Sequence, residues 1–337
     1  MLNLTVASLV ILILNLHICS LLQYNYSESS FFAVPHQPHQ LTNAISFDVE
    51  HWHSATLLEN DVTEPVDHIA KSVDTVLSLL RRNDTLGTFF IVGELAEEYP
   101  DIVRKIADAG HEIGSHGHTH TPIFELSKKE LVHELTASRR VIRKETGREV
   151  DGFRAPNFSI TEKTSWAIET LRSSKYRYDS SVFPTKTPMY GVSNAPIKPY
   201  TPRIADPFVD DRCRNSTAEL VEFPLAVVDY PLRPPIAGGF YARTLPQSVL
   251  HYGISRLNSR NVPANLYFHP WEFNQNVRTD EPPRHKRLIS FSGIDTLGSK
   301  VDKLLKTFDF ETEQQVLEEQ GLLEPPAGVQ RSDPAEQ

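Results

Sequence analysis

The groups in this chain whose types and spacing can do chemistry are two carboxylates one residue apart, Asp48 and Glu50, and two histidines in a glycine-containing turn, His116 and His120 of Ser115-His116-Gly117-His118-Thr119-His120. Imidazoles at that spacing can converge on one cation. Hydrolytic zinc sites take three protein ligands and keep a position for water, and a carboxylate is the usual companion of two histidines. On this reading Glu50 is the third ligand, and Asp48 stays free as a general base. Histidine is also the informative count, with 14 in the chain and several of them clustered. The bland alternative is that they decorate a polar loop, and His118 alone reads as a bystander. Arg154, followed by Ala155-Pro156, reads as a rigid rim residue rather than a surface ion-pair partner. His269 and Trp271 are rim groups or, alternatively, core residues capping the fold.

Such groups act together only if a scaffold gathers strand ends. The sequence alternates short β-rich runs with helical periodicity, the signature of parallel strands joined by crossover helices. Strands are expected at 44–49, 87–92, 112–115, 152–154, 178–183, 219–223 and 264–268. Between them, Val66, Ile69, Val73, Val76, Leu77 and Leu80 form the apolar stripe of a helix starting at Pro65. Further helices are read over 101–109, 128–146 behind a Ser127/Glu130 capping box, 164–172 and 246–260. Catalytic groups of parallel α/β barrels sit where strands end, on the C-terminal face. Asp48 and Glu50 end the first strand, His116 and His120 follow the third, Arg154 ends the fourth, Asp179 lies on the fifth and His269 follows the seventh. That coincidence weighs more than any single motif.

With 39% hydrophobic and 23% charged residues among 337, there is material for a core. One domain with tails is expected: an apolar segment and linker over 1–42, the catalytic domain over 43–290, and an acidic tail over 291–337 with a Glu/Gln-rich helix, then Pro-Pro-Ala-Gly and a disordered end. A net charge of -9 without a basic run argues against nucleic acid and against a polybasic membrane patch. Cys19 and Cys213 cannot make a disulfide framework or a thiolate metal site. The apolar run over 1–22 reads either as an export or membrane-anchor segment or as the product of a start codon assigned upstream, in which case the protein is cytoplasmic.

Ile45-Ser46-Phe47-Asp48-Val49-Glu50, Gly87-Thr88-Phe89-Phe90-Ile91-Val92-Gly93, Glu112-Ile113-Gly114-Ser115-His116, Phe153-Arg154-Ala155-Pro156, Tyr178-Asp179-Ser180-Ser181 and Leu266-Tyr267-Phe268-His269-Pro270 resemble, in that order, the motifs of the NodB-homology polysaccharide deacetylases, carbohydrate esterase family four. The resemblance covers 43 to about 275. It is closest to the branch found with exopolysaccharide loci, through His-Pro-Trp-Glu and Gly238-Gly239-Phe240-Tyr241. It implies a deformed seven-stranded (β/α) barrel, in agreement with the strand count. It also implies Asp48 as general base, Glu50, His116 and His120 as metal ligands, Arg154 as the residue orienting Asp48, and His269 as general acid. The cofactor implied is a divalent metal, zinc first, with cobalt, nickel or manganese as alternatives. The substrate implied is an N-acetylated polysaccharide or oligosaccharide. A backbone N–H near Asp179 or Ser180 is expected to help hold the oxyanion.

Two departures leave questions open. Asp48-x-Glu50 replaces the usual adjacent aspartate pair, so either carboxylate could ligate. The aspartate-tryptophan pair that usually accompanies the acid histidine is missing after Asp179, which leaves Glu222 as a candidate partner for His269. Trp271, Phe158 and Tyr241 stand near the rim, where stacking on sugars and ordinary packing compete. Competing readings are a hydrolase of small cyclic amides such as allantoin on the same fold, a non-catalytic carbohydrate-binding barrel, and a non-haem iron oxygenase. The β-rich fold and H-x-D spacing of that last class are not seen.

Overall fold

Every residue of Asn43–Val49 is buried, the pattern of a strand covered on both faces, and this run forms β1 of the computed structural model, which describes residues 41–55, 57–58, 61–187, 190–211, 220–230 and 232–325. The apolar segment over 1–22 and Cys213 lie outside the described residues, as does all of the expected linker except 41–42. Among the described residues no helix is long and apolar enough to cross a membrane.

Around β1 the strands Thr88–Ile91 (β2), Glu112–Ser115 (β3), Gly152–Phe153 (β4), Tyr178–Asp179 (β5), Val221–Glu222 (β6) and Asn265–Phe268 (β7) pair in parallel, in the order β6-β5-β4-β3-β2-β1-β7. The seven expected strands are these seven, β4, β5 and β6 being shorter than the sequence reading. No ladder joins β6 to β7. Instead Ala226 N–H donates to Asn265 O at 2.9 Å and the Asn265 amide donates to Phe223 O at 3.1 Å, so the sheet curls into a barrel closed by loop hydrogen bonds.

The helix Ile69–Arg82 (α1) turns Val73, Val76 and Leu80 into the core, as the stripe requires. It begins four residues later than Pro65 because Val66 is extended, exposed, and engaged through its carbonyl by Trp52 Nε1 at 2.9 Å. Gly93–Glu98 (α2) escapes the sequence reading, since one turn and a half gives too short a period to see; Pro100–Asp108 (α3) follows it. Lys128–Thr146 (α4) carries the Ser127/Glu130 capping box and stops at Gly147, whose φ of 67° suits glycine. Trp166–Ser173 (α5), Gly239–Thr244 (α6) and Gln247–Asn258 (α7) complete the crossovers up to β7.

The tail expected past 290 holds more than its Glu/Gln-rich helix: the chain is folded through the last described residues. Arg284–Phe291 (α8) and Ile294–Leu305 (α9) lead to Phe310–Glu311 (β8), which pairs in parallel with Asn43–Ala44 of β1, and then to Glu313–Glu319 (α10). Val316 and Leu317 of α10 are completely buried against Phe90, Tyr178, Val221 and Phe223, so this helix plugs the N-terminal end of the barrel. Acidic composition hid two side chains whose burial contributes roughly 1.5–3 kcal/mol each.

Candidate active site

At the C-terminal ends of β1 and β3, Glu50, His116 and His120 each offer one ligand atom, and these atoms lie within 4.8 Å of one another. Glu50 and Asp48 follow the pleat of β1 to the same mouth, and both are buried. The loop after β3 makes its turn with left-handed residues, Gly117 at φ 76° and His120 at φ 61°. It is held from α4 by Glu134, whose carboxylate accepts from His118 N (2.7 Å), Thr119 N (2.8 Å) and Thr119 Oγ1 (3.1 Å). His118 faces away from the cluster and packs against Gly93, where any Cβ would collide with its ring.

The tautomer of His116 follows from its partner. Nδ1 stands 2.8 Å from Arg154 O, and a carbonyl only accepts, so Nδ1 carries the hydrogen and Nε2 keeps a lone pair for a cation. Burial pushes His116 down to about 4, so it is neutral at pH 7. His120 Nε2 lies 2.6 Å from Glu50 Oε2. Burial disfavours the His120 cation, yet the Glu50 carboxylate outweighs it and raises this histidine. Glu50, for which burial acts upward, is drawn down to about 2 by the surrounding imidazoles. A carboxylate and a histidine whose cation it favours thus face each other where a metal cation would take the proton's place.

Arg154 enters the barrel from the end of β4, fully buried, and Nη1 donates to Asp48 Oδ1 at 2.7 Å. Its Nε donates to Ser180 O at 3.0 Å and its guanidinium lies 4.2 Å from the Phe90 ring centroid. His269 follows β7, with Nε2 3.4 Å from Glu50 Oε1. Its expected partner is corrected: Nδ1 faces Glu272, at 3.3 Å, because the 3-10 turn Pro270–Phe273 folds Glu272 back on the histidine that starts it. Glu222 instead pairs in register with Asp179, away from His269, and its Oε1 accepts from Val182 N. The spacing of three residues in His-Pro-Trp-Glu carried the signal for Glu272. Arg243 of α6 donates to Glu272 at 3.0 Å, a contact no local pattern marked. Burial lowers His269, but Glu50 and Glu272 overcome it and lift the ring to about 9. Of the backbone N–H groups near Asp179 or Ser180 expected to help hold an oxyanion, that of Ser180 is used in the sheet, donating to Phe153 O at 2.9 Å.

Asp48, Glu50, His116, His269, Trp271 and Tyr267 line one cavity of about 160 Å³, with Phe158 also on its wall and Phe240 and Arg243 of α6 opposite. Tyr241 is not among the lining residues. Gly239, also there, leaves no room for a Cβ, which would collide with the Glu272 carboxylate. Gly239→Ala should therefore displace Glu272 and weaken its support of the His269 cation. The expected result is a basic limb of the pH–rate profile moved to lower pH and a kcat lowered roughly tenfold, read from steady-state rates across pH.

A family model described as polysaccharide deacetylase matches residues 60–177, covering the histidine loop and Arg154. About a third of the chain thus matches a polysaccharide deacetylase domain. Residues 180–318 match a second model described as a domain of unknown function, DUF3473; this stretch supplies α6, His269 and Glu313. The deacetylase domain is similar to a peptidoglycan-N-acetylglucosamine deacetylase of Bacillus cereus, 30% identical over 28% of this chain and 34% of the relative. It is also similar to the peptidoglycan-N-acetylmuramic acid deacetylase PdaA of Bacillus subtilis, 22% identical over 32% of this chain and 48% of the relative. The chain thus spans a third to a half of the length of these curated relatives. A crystal structure from Mycobacterium smegmatis described as a polysaccharide deacetylase superposes at a TM-score of 0.55 with 18% identity, covering 88% of this chain and 96% of that one. It shows the fold: a curled (β/α) barrel of the NodB-homology type.

Proposed function

We propose that the protein hydrolyses the N-acetyl amide of an amino-sugar polymer, with a divalent cation held by Glu50, His116 and His120, Asp48 as general base and His269 as general acid. The observation that carries this reading is that a carboxylate held by arginine, two of the three cluster ligands, Glu50 and His116, and an imidazole backed by a carboxylate line one cavity, with His120 against Glu50. The ligand set fits the cation: His116 presents a lone pair by its tautomer, and Glu50 is buried facing imidazoles rather than a permanent positive charge. Two nitrogens and one oxygen suit zinc, with cobalt, nickel or manganese as substitutes. A divalent cation bound there supplies Lewis acidity to the acetyl carbonyl and to the attacking water.

The chain's own groups do the rest. Asp48, oriented by Arg154, takes the proton of the attacking water. His269, kept cationic by Glu50 and Glu272, gives its proton to the leaving amine. Pockets that enclose whole ligands run from about 300 Å³. The cavity here is about half that, which suits one acyl group with the remaining substrate outside, as a polymer requires. The peptidoglycan substrates in the relatives' names support an N-acetylated glycan.

The test is acetate release from a panel of N-acetylated oligosaccharides and cyclic amides, with metal content measured on the same sample. Acetate from the glycans in proportion to bound metal supports the reading. Ring opening of a cyclic amide without acetate replaces the substrate class, and metal bound without any hydrolysis leaves a carbohydrate binder. Metal affinity carries its own pH signature. His120, raised by Glu50, must lose a proton to ligate, whereas His116 at about 4 has none to lose at neutral pH. Affinity should therefore fall up to about tenfold per pH unit below the His120 pKa, with close to one proton released per cation. Calorimetry in buffers of different protonation enthalpy reads both.

A further inference from the structure

Glu313 is the first residue of α10, 159 residues along the chain from Arg154 and outside every motif that marked the site. It is fully buried inside the barrel, where Arg154 Nη2 donates to its Oε1 at 2.6 Å while Nη1 of the same guanidinium donates to Asp48 at 2.7 Å. Ser180 takes the remaining contacts, its carbonyl from Nε and its Oγ from Nη2 at 2.9 Å. The guanidinium is therefore divided: one terminal nitrogen is committed to Glu313 and Ser180, and the other alone reaches the base.

We propose that Glu313 is a positioning residue for Asp48, acting through Arg154 from the far end of the barrel. A guanidinium presents a planar fork that pairs bidentately with a carboxylate when both donors are free. By holding Nη2, Glu313 prevents that pairing and restricts Asp48 to one hydrogen bond on Oδ1. The carboxylate keeps an oxygen for the proton it must take, in a fixed direction. The Phe90 ring supports the guanidinium plane, so loss of Glu313 leaves rotation in that plane as the main freedom.

The segment that delivers Glu313 is also held by contacts other than this side chain. Its N–H donates to Thr88 Oγ1 at 2.8 Å, Thr312 Oγ1 caps α10 by accepting from Gln315 N at 3.1 Å, and Val316 and Leu317 supply the buried apolar surface. A side-chain change at 313 can thus be read as an effect on the arginine.

The inference rests on the reading of Asp48 as base, and the experiment separates the two. Glu313→Gln keeps an acceptor but no charge, and should lower kcat roughly tenfold. Glu313→Leu removes the acceptor and should lower it roughly a hundredfold, the scale of a misplacement of about 1 Å in a catalytic group. KM and bound metal should stay at wild-type values in both. In an Asp48→Asn background neither change should cost anything further, because the group being positioned is gone. Wild-type kcat in Glu313→Gln, equal losses in both backgrounds, or a rise in KM in place of a fall in kcat would each overturn the proposal. Should the leucine variant not fold, the glutamine variant in the two backgrounds decides alone. Full activity of Asp48→Asn by itself defeats the base assignment instead.

Discussion

Asp48→Asn should bind metal as the wild type does and lose about 10³-fold in kcat, within the range for removal of a general base. Asparagine is isosteric and can accept the hydrogen bond from Arg154, but its amide cannot take up a proton. Arg154 stays paired with Glu313 and Ser180, so no buried charge is stranded and the fold should survive. KM should change little, since Asp48 is assigned to the attacking water rather than to the substrate. Metal content by elemental analysis and single-turnover acetate release decide the matter. A variant that keeps wild-type kcat would move the base role to another group, and one that loses its metal would make Asp48 a ligand, reversing the choice between the two carboxylates of β1.

His116→Ala should have the opposite signature, losing metal and activity together. His116 contributes the lone pair that its contact with Arg154 O leaves free, and the remaining pair, Glu50 and His120, then bind each other. Added zinc at a thousandfold excess over its dissociation constant should stabilise the wild type by about 4 kcal/mol and the variant by little. The apo variant itself should lose about 1–3 kcal/mol, from the unpaired carbonyl and the space left by the ring. Thermal melts with and without metal separate the two effects. A variant that still gains stability from zinc and still releases acetate would remove His116 from the ligand set.

Much of this site was legible before any coordinates, because its determinants are local. A strand of a parallel barrel delivers the residues at its end to the catalytic face whatever surrounds it, so Asp48, Glu50, His116, Arg154 and His269 could be placed from strand assignment alone. Ser127, Glu130 and Gly147 bound α4 through contacts between near neighbours in sequence, and these too were readable. Glu272 was readable in principle, as the residue three positions past the histidine that its turn folds back upon, whereas the candidate Glu222 pairs in register with Asp179.

What only the tertiary structure decided joins residues far apart in the chain. Composition made 291–337 look like an acidic tail with one Glu/Gln-rich helix and a disordered end. One face of α10 nevertheless buries Val316 and Leu317 in the barrel and carries a glutamate to Arg154. Nothing local distinguishes Glu313 from its less buried acidic neighbours, Glu311, Glu318 and Glu319, since burying a carboxylate is unfavourable until an arginine from another strand is there to meet it. Arg243 reaches Glu272 from α6 in the same way. The residue types that can react are written in short stretches of sequence, whereas the partners that hold them in place are chosen by the packing of the whole barrel.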